Sequence, residues 1–234
     1  MQPILLYGHP LGSSMGLVAA FEWLGQPYKL SRVDMLGEMR DPAYARLNAR
    51  HETPVLLTED GGVVAETMAI LRWIEQRDSE RRVSFDPDSS KAVRLQQFAA
   101  FLNTGFTASF TPYWMALELE EPEPAYQDAM RRLGRTLVND RHRKLEGMIG
   151  DSPYLLGDRP TLADAVFIGV ARWADFHQAI DPADYPKVRA LKARLEADPA
   201  VLFATAIENG EQPKGTGAMK GQVPLEELLE LEPA

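Results

Sequence analysis

The sequence predicts a mixed α/β domain of order β-α-β-α-β-β-α followed by an all-α helical domain, and three observations carry that expectation. A short apolar run, Ile4 to Tyr7, leads through a loop rich in glycine, proline and serine into a helical period. Two short apolar runs flank Asp60-Gly61-Gly62 in the manner of a hairpin. Beyond residue 90 only helical periods remain.

The elements follow in order. "PILLY", residues 3–7, reads as a buried strand, and from Ser14 the apolar positions Leu17, Ala20, Phe21 and Leu24 recur at helical spacing until Gly25 stops them. An extended stretch from Tyr28 to Val33 precedes a poorly patterned helical segment near Pro42 to Leu47, then the hairpin, then a helix from Thr67 with Ile70, Trp73 and Ile74 on one face. Between Gln76 and Ser90 the composition turns charged, so residues 78–90 are expected as a linker between domains at 1–77 and 91–209. In the helical domain "PTLADA" places Thr161 three residues ahead of Asp164, a reciprocal capping box whose loss typically costs about 1 kcal/mol. Residues 210–234 read as a flexible tail ending in a short acidic leucine-striped helix, Val223 to Leu231.

Composition narrows the function classes. The 234 residues carry a net charge of -9, which repels nucleic acid and anionic lipid. There is no cysteine, which removes disulfides, zinc-thiolate sites and a cysteine nucleophile. His9, His142 and His177 have no partner at metal-ligand spacing, so no metal is expected. The first apolar run lacks a basic lead and is too short for a signal peptide, and a cytoplasmic location is expected.

A mixed domain with "ETPVLL" before a hairpin and "AETMAILRWI" after it, then a helical domain carrying "GDRPTLADA", resembles the glutathione transferase superfamily across residues 4–207. The resemblance implies a thioredoxin-like first domain that holds glutathione as co-substrate, a helical domain that supplies the pocket for a hydrophobic electrophile, and a homodimer. By that likeness Thr53, ahead of a cis Pro54, pairs its backbone with the cysteinyl residue of the tripeptide. Thr67 and Glu66 receive the carboxylate and ammonium of its γ-glutamyl end; serine is usual in the family where Thr67 stands. "LNARHETP" occupies the place of the family's Asn-Pro-x-Gly-x-Val-Pro, with Ala49 for the proline and His51 for the glycine. Arg50 and His51 are then candidates for the glycyl carboxylate, His51 the better placed.

The thiol must be held as thiolate near neutral pH, which asks for a hydroxyl donor and a helix start. "YGHPLGSSM" resembles bacterial members reading Tyr-Gly-His-Pro-Leu-Ser-Ser, with Gly12 in place of the first serine. Ser13, Tyr7 and Ser14, in that order, are the candidate activating hydroxyls. In "FLNTGFTASFTPYWM", Phe106, Phe110, Tyr113 and Trp114 are candidates for the electrophile pocket, and Asn103 for a further glutathione contact. Other readings remain open at this point: a glutathione-dependent isomerase or dehalogenase, and a non-catalytic interaction module, the latter favoured by Gly12 and the acidic tail.

Overall fold

The computed structural model describes residues 2–119, 121 and 123–230, so Leu231, the last residue of the expected tail helix, lies outside the described residues. Strand β1 (Ile4–His9) runs into helix α1 (Met15–Leu24), which crosses over to β2 (Tyr28–Asp34); β3 (Val55–Leu57), β4 (Val63–Ala65) and α2 (Thr67–Arg77) follow. β1 and β2 are parallel, as a helical crossover requires, while β3 pairs antiparallel with both β1 and β4. The segment expected to be helical between Pro42 and Leu47 forms 3-10 turns, at Glu38–Arg40 and Pro42–Arg46.

The tail departs from expectation. Rather than hanging free, Met219–Gln222 forms β5, which adds parallel to β2 and gives the sheet the order β4-β3-β1-β2-β5; α10 (Leu225–Leu229) then folds back onto it. The root of the tail is tied to α1. Glu22 is 2 % exposed, and its carboxylate accepts from the Thr216 N–H at 2.7 Å, the Thr216 hydroxyl at 2.8 Å and the Tyr28 hydroxyl at 2.8 Å. Glycine, lysine and proline spacing in 210–224 gave no strand period, so this addition was not legible.

Alternation along β1 divides the interior in two. Leu5 and Tyr7 join α1, α2 and the helical domain in one large core, while Ile4 and Leu6 join Val33, Val55 and Leu57 on the opposite face. The expected linker is ordered: the Asp78 carboxylate accepts from the N–H groups of Arg82, Val83 and Ser84 and from the Ser84 hydroxyl.

The helical domain comprises α3 (Ser90–Ala100), a π-helical turn at Phe101–Phe106, α4 (Thr111–Leu117), α5 (Pro124–Met148), α6 (Leu162–Ala171), α7 (Trp173–Phe176), α8 (Pro186–Glu196) and α9 (Pro199–Glu208). Every residue of α6 is buried, as its apolar composition on all sides requires of a central helix. Its start is the expected capping box: the Asp164 carboxylate accepts from the Thr161 N–H and hydroxyl, both at 2.8 Å, and from the Leu155 N–H at 3.0 Å. α1 and α6 approach through Gly16 and Gly169, where a Cβ on either would overlap a carbonyl oxygen of the other side, that of Ala165 or of Ser13. This contact fixes the start of α1 against the helical domain. Among the described residues no helix is long and apolar enough to cross a membrane.

Candidate active site

The loop between β1 and α1 is built tightly and held from across the domain boundary. Gly12 lies so close to the Gly8 carbonyl that a Cβ there would overlap its oxygen, which accounts for a glycine where the resemblance leads one to expect serine. Leu11 adopts φ 59°, and its carbonyl accepts from the Trp173 indole N–H at 2.8 Å; the Gly12 carbonyl accepts from the Arg172 Nη2 at 2.8 Å. Arg172 is in turn paired with Glu208, whose side chain is 7 % exposed. Neither Arg172 nor Trp173 carried a signal in the sequence, because both contacts run to main-chain atoms some 160 residues away.

The three candidate hydroxyls separate clearly. Tyr7 is 1 % exposed and its hydroxyl donates to the Ile207 carbonyl at 3.2 Å on α9; burial pushes its pKa up, further from the range of a working acid or base. The placement of Tyr7 corrects the expectation that it faces a ligand: it is a core residue tethering the two domains. Ser14 is also buried, at 1 %, and its hydroxyl accepts from the Gly8 N–H at 2.9 Å, which braces the loop. Ser13 alone is half-buried, and it lines a narrow crevice together with Leu17, Thr67, Asn103, Thr107 and Val166. The starts of α1 and α2 thus share one opening, with three hydroxyls and one amide along it.

The second group of candidates lies on the loop before β3 and at the start of α2. The Thr53-Pro54 bond is cis, as is His9-Pro10, and Thr53 stands beside Gly8 and Met35. Pro54 is buried at the start of β3. His51 holds φ 53°, with Nδ1 2.8 Å from the Met39 carbonyl, so Nδ1 carries the donated proton and Nε2 is the remaining nitrogen. Glu66 holds φ 74°, a conformation an L-residue rarely adopts, directly ahead of Thr67. Its carboxylate, largely exposed, accepts from Arg50 at 2.7 Å, and Arg50 also pairs with Glu52 at 2.9 Å. Arg50 therefore turns toward Glu66 rather than standing free beside His51.

The aromatic candidates divide. Phe106 and Phe110 are 0 % exposed and Tyr113 is 4 %, which corrects their assignment to an electrophile pocket: they are core, packed among His142, Phe167, Trp173 and His177. Trp114 reaches the surface. It stacks on Phe176, which is 52 % exposed, and meets Trp173 edge-on at 5.2 Å, so this pair lies next to the residue that anchors Leu11. Phe176 was missed because it ends a four-residue helix, a single turn that is too short for a repeating period to mark a face. Among the described residues no group of three or more His, Asp or Glu side chains could hold a metal ion.

Comparison with known proteins identifies the family and the fold. Residues 14–77 match the family described as glutathione S-transferase, N-terminal domain, and residues 98–199 match glutathione S-transferase, C-terminal domain. The chain belongs to the glutathione S-transferase superfamily. It is similar to the glutathione S-transferase GstA of Escherichia coli O157:H7, 22 % identical over 79 % of this chain and 88 % of that protein. It is also similar to the maleylacetoacetate isomerase of Pseudomonas aeruginosa, 26 % identical over 86 % of this chain and 94 % of that protein. Among solved structures, a glutathione transferase homologue from Sulfitobacter with bound glutathione shares the fold, with a TM-score of 0.77 at 23 % identity over 90 % of this chain and 99 % of that one.

Proposed function

We propose that this protein is a glutathione transferase that binds the tripeptide across the starts of α1 and α2 and stabilises its thiolate with Ser13. The observation that carries the reading is that Ser13 and Thr67 line one crevice, with Glu66 directly ahead of Thr67 at the start of α2 and the cis Thr53-Pro54 bond directly ahead of β3. In this reading the Thr53 backbone pairs with the cysteinyl residue, Thr67 and the first turn of α2 receive the γ-glutamyl carboxylate, and Glu66 exchanges Arg50 for the ammonium. His51, protonated on both ring nitrogens when the ligand is bound, donates from Nε2 to the glycyl carboxylate while Nδ1 keeps the Met39 carbonyl.

The thiol proton leaves to solvent, and the sulfur anion that remains accepts from the Ser13 hydroxyl at the positive end of α1. Such a charge-assisted bond is worth about 1.5–3 kcal/mol, or one to two pKa units on the thiol. The sulfur lone pair then attacks an electrophilic carbon, whose leaving group departs with the bonding pair. The Trp114–Phe176 stack offers the apolar platform for that co-substrate. A homodimeric, cytoplasmic enzyme with domains at 1–77 and 91–209 is part of the same proposal; light scattering on the purified chain tests the dimer.

Isothermal titration with glutathione, followed by a conjugation assay with an aromatic halide, tests the reading. Micromolar to low millimolar binding with turnover supports it, and no heat at millimolar glutathione sinks it. The similarity to a maleylacetoacetate isomerase favours a second reading, in which the same thiolate adds reversibly to a conjugated double bond and is expelled after rotation. Product analysis with a cis-enone diacid separates the two.

A further inference from the structure

We propose that α10 is a positioning element for the glutathione site: packed over the outer face of the sheet, it holds the segment 39–48 that presents His51 and Glu52 beside Thr53. The proposal rests on the functional reading above for its ligand and on independent contacts for its mechanics.

The outer sheet face, built from Ile4, Leu6, Val33, Val55 and Leu57, is apolar and needs a cover. Between β2 and β3 the chain supplies only two 3-10 turns, of three and five residues, which contribute Tyr44, Leu47 and part of Met39. Such turns are too short to cover a sheet face. Leu225 and Leu228, 5 % and 2 % exposed, complete the cluster with Val223 and Leu229. A polar tie reinforces the contact: Arg46 Nη1 donates to the Leu229 carbonyl at 2.7 Å.

From that segment a chain of bonds runs to the site. The Met39 carbonyl accepts from His51 Nδ1 at 2.8 Å, and the His51 N–H donates to the Asn48 carbonyl at 2.9 Å. The Tyr44 hydroxyl and the Asn48 amide both donate to the Glu52 carbonyl, at 3.2 Å and 3.0 Å. The residues that orient His51 and Glu52 are thus those α10 packs against, or their immediate neighbours. The tail is itself anchored upstream, by Thr216 on Glu22, by β5 on β2, and by the Val223 N–H on the Leu30 carbonyl at 2.8 Å. These tail elements lie beyond residue 199, where the match to the C-terminal family domain ends. They close a face that the short 3-10 turns leave open.

The test is the full chain carrying Leu225→Ala and Leu228→Ala. Amide exchange of the ligand-free protein is expected to quicken about tenfold or more over residues 38–52 and to stay unchanged in α6. The KM for glutathione is expected to rise roughly 3- to 10-fold, with kcat at saturating glutathione within about twofold and the electrophile KM unmoved. Leu228→Met, which keeps the apolar volume, should restore both. A folded double variant with unaltered exchange over 38–52, or with loosened exchange and unaltered glutathione KM, would overturn the proposal. Should the double variant fail to fold, Arg46→Met leaves the apolar cluster intact; the same two shifts in smaller measure support the proposal, and absence of either overturns it. Lack of glutathione binding by the wild-type chain sinks the functional reading, whereas exchange over 38–52 decides the hold of α10 without any ligand.

Discussion

Arg172 of the helical domain donates to the carbonyl of Gly12 in the β1–α1 loop, 2.8 Å away, while its other contacts go to Glu208. A residue of one domain therefore sets the loop from which the other presents Ser13. Arg172→Met should lower kcat/KM for conjugation about 10-fold with little change in glutathione KM, because the loop that aims the hydroxyl loosens while the peptide-binding segments do not. Removing the arginine also leaves Glu208 buried and unpaired, so thermal stability should fall by about 2–4 kcal/mol. Steady-state kinetics with both substrates varied, and a thermal melt, check the pair of outcomes.

Ser13→Ala should raise the pKa of bound glutathione by one to two units and cut kcat/KM roughly 10- to 150-fold at neutral pH. Tyr7→Phe should leave the thiol pKa unchanged, since its hydroxyl is spent on the Ile207 carbonyl. Thiolate absorbance of bound glutathione across pH reads both. The opposite ranking would return the role to the tyrosine.

Restoring the serine of similar bacterial sequences at position 12 should harm rather than help. Its Cβ overlaps the Gly8 carbonyl oxygen, and accommodating it displaces the loop against Arg172 and Trp173. Gly12→Ser is expected to destabilise by about 1–3 kcal/mol, roughly 2–12 °C in Tm, without gain of activity. Differential scanning fluorimetry and the halide assay decide it.

Stability toward acid should depend on His142. Burial among Phe106, Phe110 and Tyr185 pulls its imidazole down to about 4, below the ordinary 6.5. The unfolded chain then binds the proton more readily, so this contribution is fully present above pH 6.5 and is lost as pH falls toward 4, by about 2–3 kcal/mol. His177, also pulled down to about 4 by burial, acts in the same direction, whereas Asp164, pushed up to about 6 by burial, acts oppositely between pH 4 and 6. His142→Phe should flatten the fall relative to wild type; denaturant melts at pH 7.5, 6 and 5 measure it, and parallel curves would refute the assignment.

Much of this was readable from the chain alone, and the reasons differ by element. The β1–α1 unit, the Asp60-Gly61-Gly62 hairpin and the Thr161–Asp164 cap are local patterns, and local patterns survive into the fold. The cover of the outer sheet face is not local: β5 and α10 arrive from nearly 190 residues downstream of β2, in a segment whose glycines and lysines carry no strand period. The aromatics of 106–113 were misread because helical spacing cannot say which of two apolar surroundings, core or pocket, a face meets. Thr67, Glu66 and Ser13 were singled out as candidates through family likeness, with the geometry left to the structure; Arg172, Trp173 and Phe176 had neither motif nor period to mark them.

The addition of β5 beside β2 has a topological meaning. β1 and β5 lie in the same sheet, so the helices from Ser90 to Glu208 amount to an excursion inserted within the first domain, not an appendage trailing behind it. Cutting the molecule at the interdomain segment would therefore not liberate two autonomous halves: the amino-terminal piece would lack the edge strand beside β2, and the buried Glu22 would lose both Thr216 donors and keep only the Tyr28 hydroxyl.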